Sequence, residues 1–397
     1  MTGKFRYFLL LLCAVVWLGN SALAGEISEV SVVGEGEYTR ITLASDTEIR
    51  HGIFSLAHNG QRAIAIDFPD ARVGTSAATP APTGAVTSYE ILGGGIAFRL
   101  SHAVEVSRAL SIGPTTADPR HRLVVDLVRV SPVRFDREAA VDVDRRAAFL
   151  SGEGAGPAEA VEMAAAEPAS RKRVIVIDPG HGGHDPGASA HDLTREKTIV
   201  LATSQALKTK LDATGRYTVH LTRSDDTYID HEDRVSMARN WGADLFISVH
   251  ADAAGNSSVS GATVYTLSAR GERRVDGTAS ANGWQLPVED GTSQEIVGIL
   301  TDLTKRETKT NSSIFAEMLI PELAGAGPIV RNSHRRENFF VLLAPDVPAV
   351  LVEIGFLTNR ADVARLSSQQ GRDRTAAAIA NAIDTYFAQA AGHTAVN

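Results

Sequence analysis

Cysteine is almost missing from this 397-residue chain: its one copy, Cys13, lies within the first 24 residues, and none follows Gly25. Beyond that segment, thiol catalysis, cysteine metal sites and a disulfide framework are excluded, and a cysteine-free sequence suits an oxidising compartment. Positive charge is short as well. Lys and Arg number 39 against 47 Asp and Glu, for a formal charge of −8, which offers nucleic acid no basic surface. The N-terminal apolar run, Phe8 to Leu18, is too short for a comfortable membrane span. The glycine-rich loop at 180–187 lacks the lysine and hydroxyl with which a P-loop holds phosphate.

What is present at the start reads as a secretory signal over residues 1–24. Lys4 and Arg6 precede the apolar run, and the small-residue site Ala22-Leu23-Ala24 precedes Gly25. Leu12 before Cys13 is not the small residue that a lipoprotein signal wants. Removal of the segment takes away two cations and no acid, moving the charge from −8 to −10. No transmembrane segment is expected after cleavage; a retained N-terminal anchor is the alternative.

The length predicts two domains. Residues 25–132 alternate apolar and polar in short runs, such as Ile27 to Val32, Thr39 to Leu43, Ala63 to Asp67, Gly95 to Leu100 and Leu123 to Leu127. A small all-β sandwich is expected, serving binding rather than catalysis. The Ala, Glu, Gly and Arg bias of residues 133–171 predicts a flexible linker. Residues 172–392 alternate strand and helix patterns, predicting an α/β domain with a mixed, mostly parallel sheet and helices on both faces. Strands are expected at 174–178, 217–222, 244–250, 262–267, 339–343 and 349–354. Helical spacing appears around Ile199 to Leu211, Val235 to Trp241 and Ile379 to Phe387.

Three of these strands end in metal-compatible side chains. Val174-Ile-Val-Ile-Asp178 runs into Pro179-Gly-His181-Gly-Gly-His184-Asp185, a second strand ends at His250, and a third holds Glu353 within Val350 to Phe356. In open α/β sheets ligands bind beyond the carboxyl ends of strands, so these groups are expected to converge. His181 and His250 are the candidate imidazoles, and the third ligand should be a carboxylate, since hydrolytic zinc sites use three His, Asp or Glu ligands. Glu196 opens the helix after the loop and can reach back; a first-turn glutamate favoured by the helix dipole is the plain alternative. His220 alternates within a strand, while His184, His191, His231 and His334 read as loop or surface residues, weaker candidates. Glu353 would be costly to bury as an anion unless a cation lies near.

Together, Ile177-Asp-Pro-Gly-His181-Gly-Gly, Arg195-Glu196-Lys197, Thr222-Arg-Ser-Asp225, Ala243 to Asp252 and Val352-Glu353-Ile-Gly-Phe-Leu-Thr-Asn359 resemble the motifs of zinc-dependent N-acetylmuramoyl-L-alanine amidases of the cell-division type. The resemblance covers residues 173–390. More loosely, the N-terminal module is similar to the AMIN-like β domain that localises such enzymes on peptidoglycan. It implies one Zn2+ held by His181, Glu196 and His250, with Glu353 as catalytic acid and base. Arg195 stands where an asparagine commonly precedes the glutamate. The implied reaction is hydrolysis of the amide between N-acetylmuramic acid and L-alanine, in the periplasm at the division septum, during daughter-cell separation.

Residues 268–310 form an unusually long stretch with a helical pattern over Ser293 to Leu303. Long segments beside active sites are often lids. By the resemblance, an autoinhibitory insertion is expected, with Glu289 or Glu295 as an extra zinc contact and a protein activator that displaces it. A monomer is expected. The other readings are a zinc peptidase or carboxypeptidase acting on stem peptides and a non-catalytic wall-binding protein.

Overall fold

A computed structural model describes residues 25–35, 38–58, 60–78, 81, 83–152, 171–284 and 294–393. The signal reading of 1–24, residues 153–170 of the expected linker, and Glu289 lie outside the described residues, as does the side chain of Glu295. The chain divides into two compact units, the second beginning at Val161 and taking in Thr115–Asp118. No helix among the described residues is long and apolar enough to cross a membrane.

The first unit consists of two sheets. Strands β1 (Gly25–Glu35), β2 (Tyr38–Ser45), β5 (Ala71–Ala78), β8 (Val104–Ile112) and β9 (His121–Arg129) order as β5-β1-β2-β9-β8. Strands β3 (Gly52–His58), β4 (Gln61–Asp67), β6 (Val86–Leu92) and β7 (Gly95–Leu100) order as β3-β4-β7-β6. Ile27, Ile41, Ile64, Ile66, Ile96, Phe98, Val125 and Leu127 interlock as a core with essentially no exposure, as the alternating pattern requires.

The expected linker is corrected over its first part. Residues Pro132–Ser151 form helix α1, started by the Ser131 cap and Pro132 and closed by Gly152 at φ 74°. Its Phe135, Ala139, Asp142 and Arg146 are buried at helical spacing. Arg146 Nε meets Asp67 at 2.5 Å and the Ser55 N–H donates to Asp142 at 2.7 Å. Composition suggested a solvated segment; these long-range partners make it part of the first unit's packing.

The second unit is built on a six-stranded sheet ordered β11-β10-β12-β15-β13-β14. Its strands are β10 (Arg173–Pro179), β11 (Tyr217–Leu221), β12 (Leu245–His250), β13 (Ala262–Leu267), β14 (Ile329–Glu337) and β15 (Ala349–Glu353). The first four in the order are mutually parallel, β13 runs antiparallel to β15, and β14 runs parallel to β13. Helices α2 (Glu196–Thr214), α3 (His231–Asn240), α4 (Ala269–Ala281), α5 (Gln294–Ala326), α6 (Arg360–Ser367) and α7 (Gln369–His393) surround it. Val176, Phe246 and Leu351 pack on one face with Val235 and Ala238 of α3. Their neighbours Ile175, Ile177, Ile247, Val350 and Val352 are equally buried, so the other face is covered too; α2 and α5 contact the strands there and α7 packs on both helices. The α/β expectation holds in its mixed, mostly parallel form.

Two element readings change. Residues 339–343, expected as a strand, hold a 3-10 turn at Phe340–Leu342 whose Val341 and Leu342 enter the core; a short apolar run does not tell strand from other buried backbone. The edge strand is instead β14, whose sequence Ile-Val-Arg-Asn-Ser-His-Arg-Arg-Glu is charged, as exposed sheet edges are. Within 268–310, α4 is separate, while the helical pattern expected over Ser293 to Leu303 falls at the start of the longer, 33-residue α5.

The five-stranded sheet of the first unit carries a buried charge cluster on β9. Asp126 on β9 has no exposure and lies in register with Arg40 and Arg108 on its two neighbours. It accepts from Tyr38 Oη at 2.5 Å, Arg40 Nε at 2.8 Å and Arg108 Nε at 2.6 Å. Burial pushes its carboxyl up, but the two guanidinium groups outweigh burial and hold it at about 2, below the ordinary 3.8. A lowered folded-state pKa stabilises above the unfolded value and is lost as pH falls through both. Asp126→Asn is therefore expected to cost about 2 kcal/mol at pH 7 in urea unfolding, and the gap from the parent should close between pH 5 and pH 2.

Candidate metal centre

The candidate site starts at the end of β10. Pro179 and Gly180 leave the strand, and His181 adopts φ 62°, a left-handed conformation rare for a non-glycine residue and typical of functional turns. The loop 180–187 then closes on the start of α2, whose first amides bond to loop carbonyls: Glu196 N–H to Ala188 O at 2.9 Å and Lys197 N–H to Pro186 O at 3.2 Å. These satisfy helix-start donors that lack intrahelical partners. The Glu196 side chain is thereby free to turn inward rather than cap its own helix.

Glu196 is 1% exposed. Its Oε1 lies 3.1 Å from His181 Nε2 and 3.1 Å from His250 Nδ1, and accepts from the Ala251 N–H at 2.9 Å. Its Oε2 accepts from the Ala188 N–H at 2.8 Å. One ligand atom from each of His181, Glu196 and His250 lies within 4.8 Å of the others. Tetrahedral zinc with ligand bonds of about 2.1 Å has ligand–ligand edges of about 3.4 Å, so two nitrogens and one carboxylate oxygen at these separations fit that ion in kind and in spacing. Metal chemistry also favours the set, because imidazole and carboxylate without thiolate suit a hydrolytic centre.

Supporting contacts fix each donor. His181 Nδ1 faces Asp185 Oδ2 at 2.7 Å, which turns Nε2 toward the centre. A side chain at Gly180 would place its Cβ 2.3 Å from His250 Cε1, and one at Gly187 would meet Glu196 Oε2 at 2.6 Å; only glycine leaves the rings room. Burial pushes the His181 imidazole down, but the hydrogen bonds and charges of Glu196 and Asp185 outweigh it and raise it to about 9. The Glu196 carboxyl is pushed up by burial, yet the two imidazoles prevail and hold it far below the usual range.

Glu353 ends β15 directly across from His250 on the parallel neighbour β12, so both side chains share a face. It is 5% exposed, and its Oε2 accepts from the Asp252 N–H at 2.9 Å. Burial pushes its carboxyl up to about 7, with Glu196 adding to the rise and His250 opposing it. A carboxyl poised near neutrality can both take and give a proton.

The four residues singled out from sequence are thus brought together. Of the weaker histidines, His184 is exposed and lies tilted against Tyr228 at 4.2 Å, and His220 stacks on Trp241 at 4.7 Å. His334, expected at the surface, is 3% exposed, with Nδ1 2.5 Å from Glu317 and Nε2 2.9 Å from Thr266. Sequence reasoning missed the supports beneath the loop. Asp178, fully buried, accepts from Thr222, Ser248 and Arg234 at 2.6 to 2.7 Å. Arg223 donates to the carbonyls of Pro179 and Gly180, and Arg234 to those of Pro179 and His181. Arg234 had a signal: it adjoins Val235 and lies four residues before Ala238, a charge on the core-facing stripe of α3.

Comparison with known proteins agrees with this geometry. Residues 175–385 match the N-acetylmuramoyl-L-alanine amidase family. The amidase AmiC of Neisseria meningitidis serogroup B is 30% identical over 392 residues, covering 88% of this chain and 87% of that protein. AmiC of Escherichia coli O6:H1 is 27% identical over 392 residues, covering 93% and 91%. AmiA of Escherichia coli K12 is 35% identical over 228 residues, covering 54% of this chain and 76% of its own. With the match spanning the metal-type site and the AmiC likeness extending through both units, this chain belongs to the N-acetylmuramoyl-L-alanine amidase family.

Proposed function

We propose that this amidase holds a zinc ion with His181, Glu196 and His250 and uses Glu353 as acid and base to cut the amide between N-acetylmuramic acid and L-alanine in peptidoglycan. The observation that carries the reading is the convergence of two imidazole nitrogens, each at 3.1 Å, on one oxygen of the buried Glu196, beside a Glu353 in register with His250. Zinc bound there supplies a Lewis acid for the scissile carbonyl and brings the pKa of water toward about 7. Glu353 takes a proton from the attacking water and returns it to the leaving amine of alanine. The Asp252 N–H anchors its Oε2, which leaves Oε1 for the transfer. Asp185 keeps His181 turned with Nε2 inward.

In this reading residues 1–24 direct the chain across the inner membrane, the β unit of 25–132 with α1 retains it on septal peptidoglycan, and cleavage separates daughter cells. Its support is the Lys4, Arg6 and Ala22-Leu23-Ala24 pattern together with the likeness to AmiC along both units. Residues 268–310 are read as a segment that restricts access until a protein activator engages it. The motive is the resemblance and a helical stripe on α5: Ile296, Ile299, Leu300 and Leu303 are 50, 56, 43 and 55% exposed.

Stem peptides are expected to be released from purified peptidoglycan by the chain starting at Gly25, to cease with a zinc chelator, and to fall at least a thousand-fold with Glu353→Gln. Mass spectrometry that finds cuts within the stem peptide would instead favour a peptidase. Gly180→Ala, which forces a Cβ against the His250 ring, should weaken zinc at least ten-fold in competition with a chelating indicator; unchanged affinity would refute the ligand assignment. Deletion of residues 280–305 should raise basal release several-fold, and an unchanged or lower rate in a folded variant would sink the restricting role.

A further inference from the structure

The face of the sheet that carries Glu353 continues away from the metal-type centre onto the two strands that run against the others. Tyr265 on β13 stands across from Leu351 on β15 and, on its other side, across from Arg335 on β14. Cross-strand partners share a face, so Glu353, Leu351, Tyr265 and Arg335 all project to the same side. The Tyr265 ring meets Phe339 edge-on at 5.4 Å and 84°. Tyr265 and Arg335 are both half-buried, and Phe339 is 38% exposed.

Arg335 is held in place by an irregularity. The register of β13 and β14 slips between Ala262, opposite Ile329, and Val264, opposite His334, so that β14 carries extra residues. Within that bulge Asn332 adopts φ 56°, and its carbonyl accepts from Arg335 Nε at 3.2 Å. Bulges re-aim side chains, and asparagine is a residue that tolerates the left-handed conformation such a bulge requires. With Nε bound to backbone, the terminal nitrogens of the fork remain for another partner. In a chain with 47 acids, Arg335 forms no ion pair with any carboxylate among the described residues; its hydrogen bond there is to the Asn332 carbonyl.

We propose that Arg335, seated by the Asn332 carbonyl and standing across from Tyr265, forms a specificity subsite that binds a carboxylate of the stem peptide on the leaving-group side of the scissile amide. Two strand spacings across and two residues along the sheet separate Arg335 from Glu353, about 12 Å between backbones. Three extended peptide residues span about 10 Å, and the arginine side chain closes the rest. Guanidinium and carboxylate pair through two parallel hydrogen bonds, which neither an amide nor a lysine reproduces. Phe339 and the Tyr265 ring supply an apolar wall beside the charge.

This subsite deepens the amidase reading and rests on it for the nature of the substrate. The probes are a soluble muramyl peptide with free carboxylates and the same compound with those carboxylates converted to amides. Zinc-supplied full chain carrying Glu353→Gln, which leaves either compound intact, is expected to bind the acid at least ten-fold more tightly than the amide in calorimetric titration. Adding Arg335→Gln should lower acid affinity to that of the amide and leave amide affinity unchanged, which also shows the variant folded; Arg335→Lys should retain part of the preference. A preference that survives Arg335→Gln, the absence of any preference in the parent, binding of neither compound, or equal loss of both affinities in Arg335→Lys overturns the subsite. Peptide release from intact peptidoglycan by the unmodified chain tests the amidase reading separately: release without carboxylate preference removes the subsite alone, and carboxylate-dependent binding without release removes the activity alone.

Discussion

The buried Glu196 carboxylate is the constraint from which the rest of the site follows. A carboxylate taken out of water costs several kcal/mol unless its lone pairs are matched, and this one has two backbone N–H donors and two imidazole nitrogens around it. Those partners come from two places, the loop after β10 and the end of β12, while the carboxylate itself stands on the first turn of α2. Satisfying one charge therefore fixes two strand ends and a helix start relative to one another. The same concentration of negative charge makes the point between the rings the natural seat of a cation.

A loop carrying left-handed His181 and several glycines would wander without external anchors. The anchors are charged groups that touch its backbone instead of its side chains. Arg223 and Arg234 donate to the carbonyls of residues 179 to 181, and buried Asp178 neutralises Arg234 at 2.6 Å while accepting from Thr222 and Ser248. Lys197, the residue after Glu196, bonds Gly183 O and Asp226, both at 2.7 Å. Positioning of the ring nitrogens thus depends on side chains that never face them, in keeping with the weight of outer contacts in metal sites.

His181, His250 and Glu353, which the structure brings together, stood out in the sequence because each breaks a local rule: a glycine run surrounds His181, a histidine ends an apolar strand, and a glutamate sits inside one. The fold was legible where apolar periodicity was strong, as along α2 and in β10, β12 and β15. Legibility failed where partners decide. Arg223 and Arg234 reach residues of the 178–181 segment 43 to 56 positions away, which no local pattern encodes. Charged β14 hid both a strand and the burial of His334, and α1 looked solvated because its acids and arginines answer Asp67 and Ser55 far upstream.

The reversal of β13 gives the site its polarity. Parallel strands β10, β12 and β15 all deliver their carboxyl ends to the same crevice, supplying His181, His250 and Glu353. Strand β13 arrives the other way, so that Thr263 stands across from Glu353 and each later residue on its face leads away from the crevice, accompanied by β14. One side of the centre is therefore a glycine-rich loop close to backbone, with exposed His184 over Tyr228; the other is a sheet surface with an aromatic pair and a seated guanidinium. The amide of muramic acid and alanine has a sugar on one side and an acidic peptide on the other. A centre flanked by two unlike surfaces can bind such a bond in one direction.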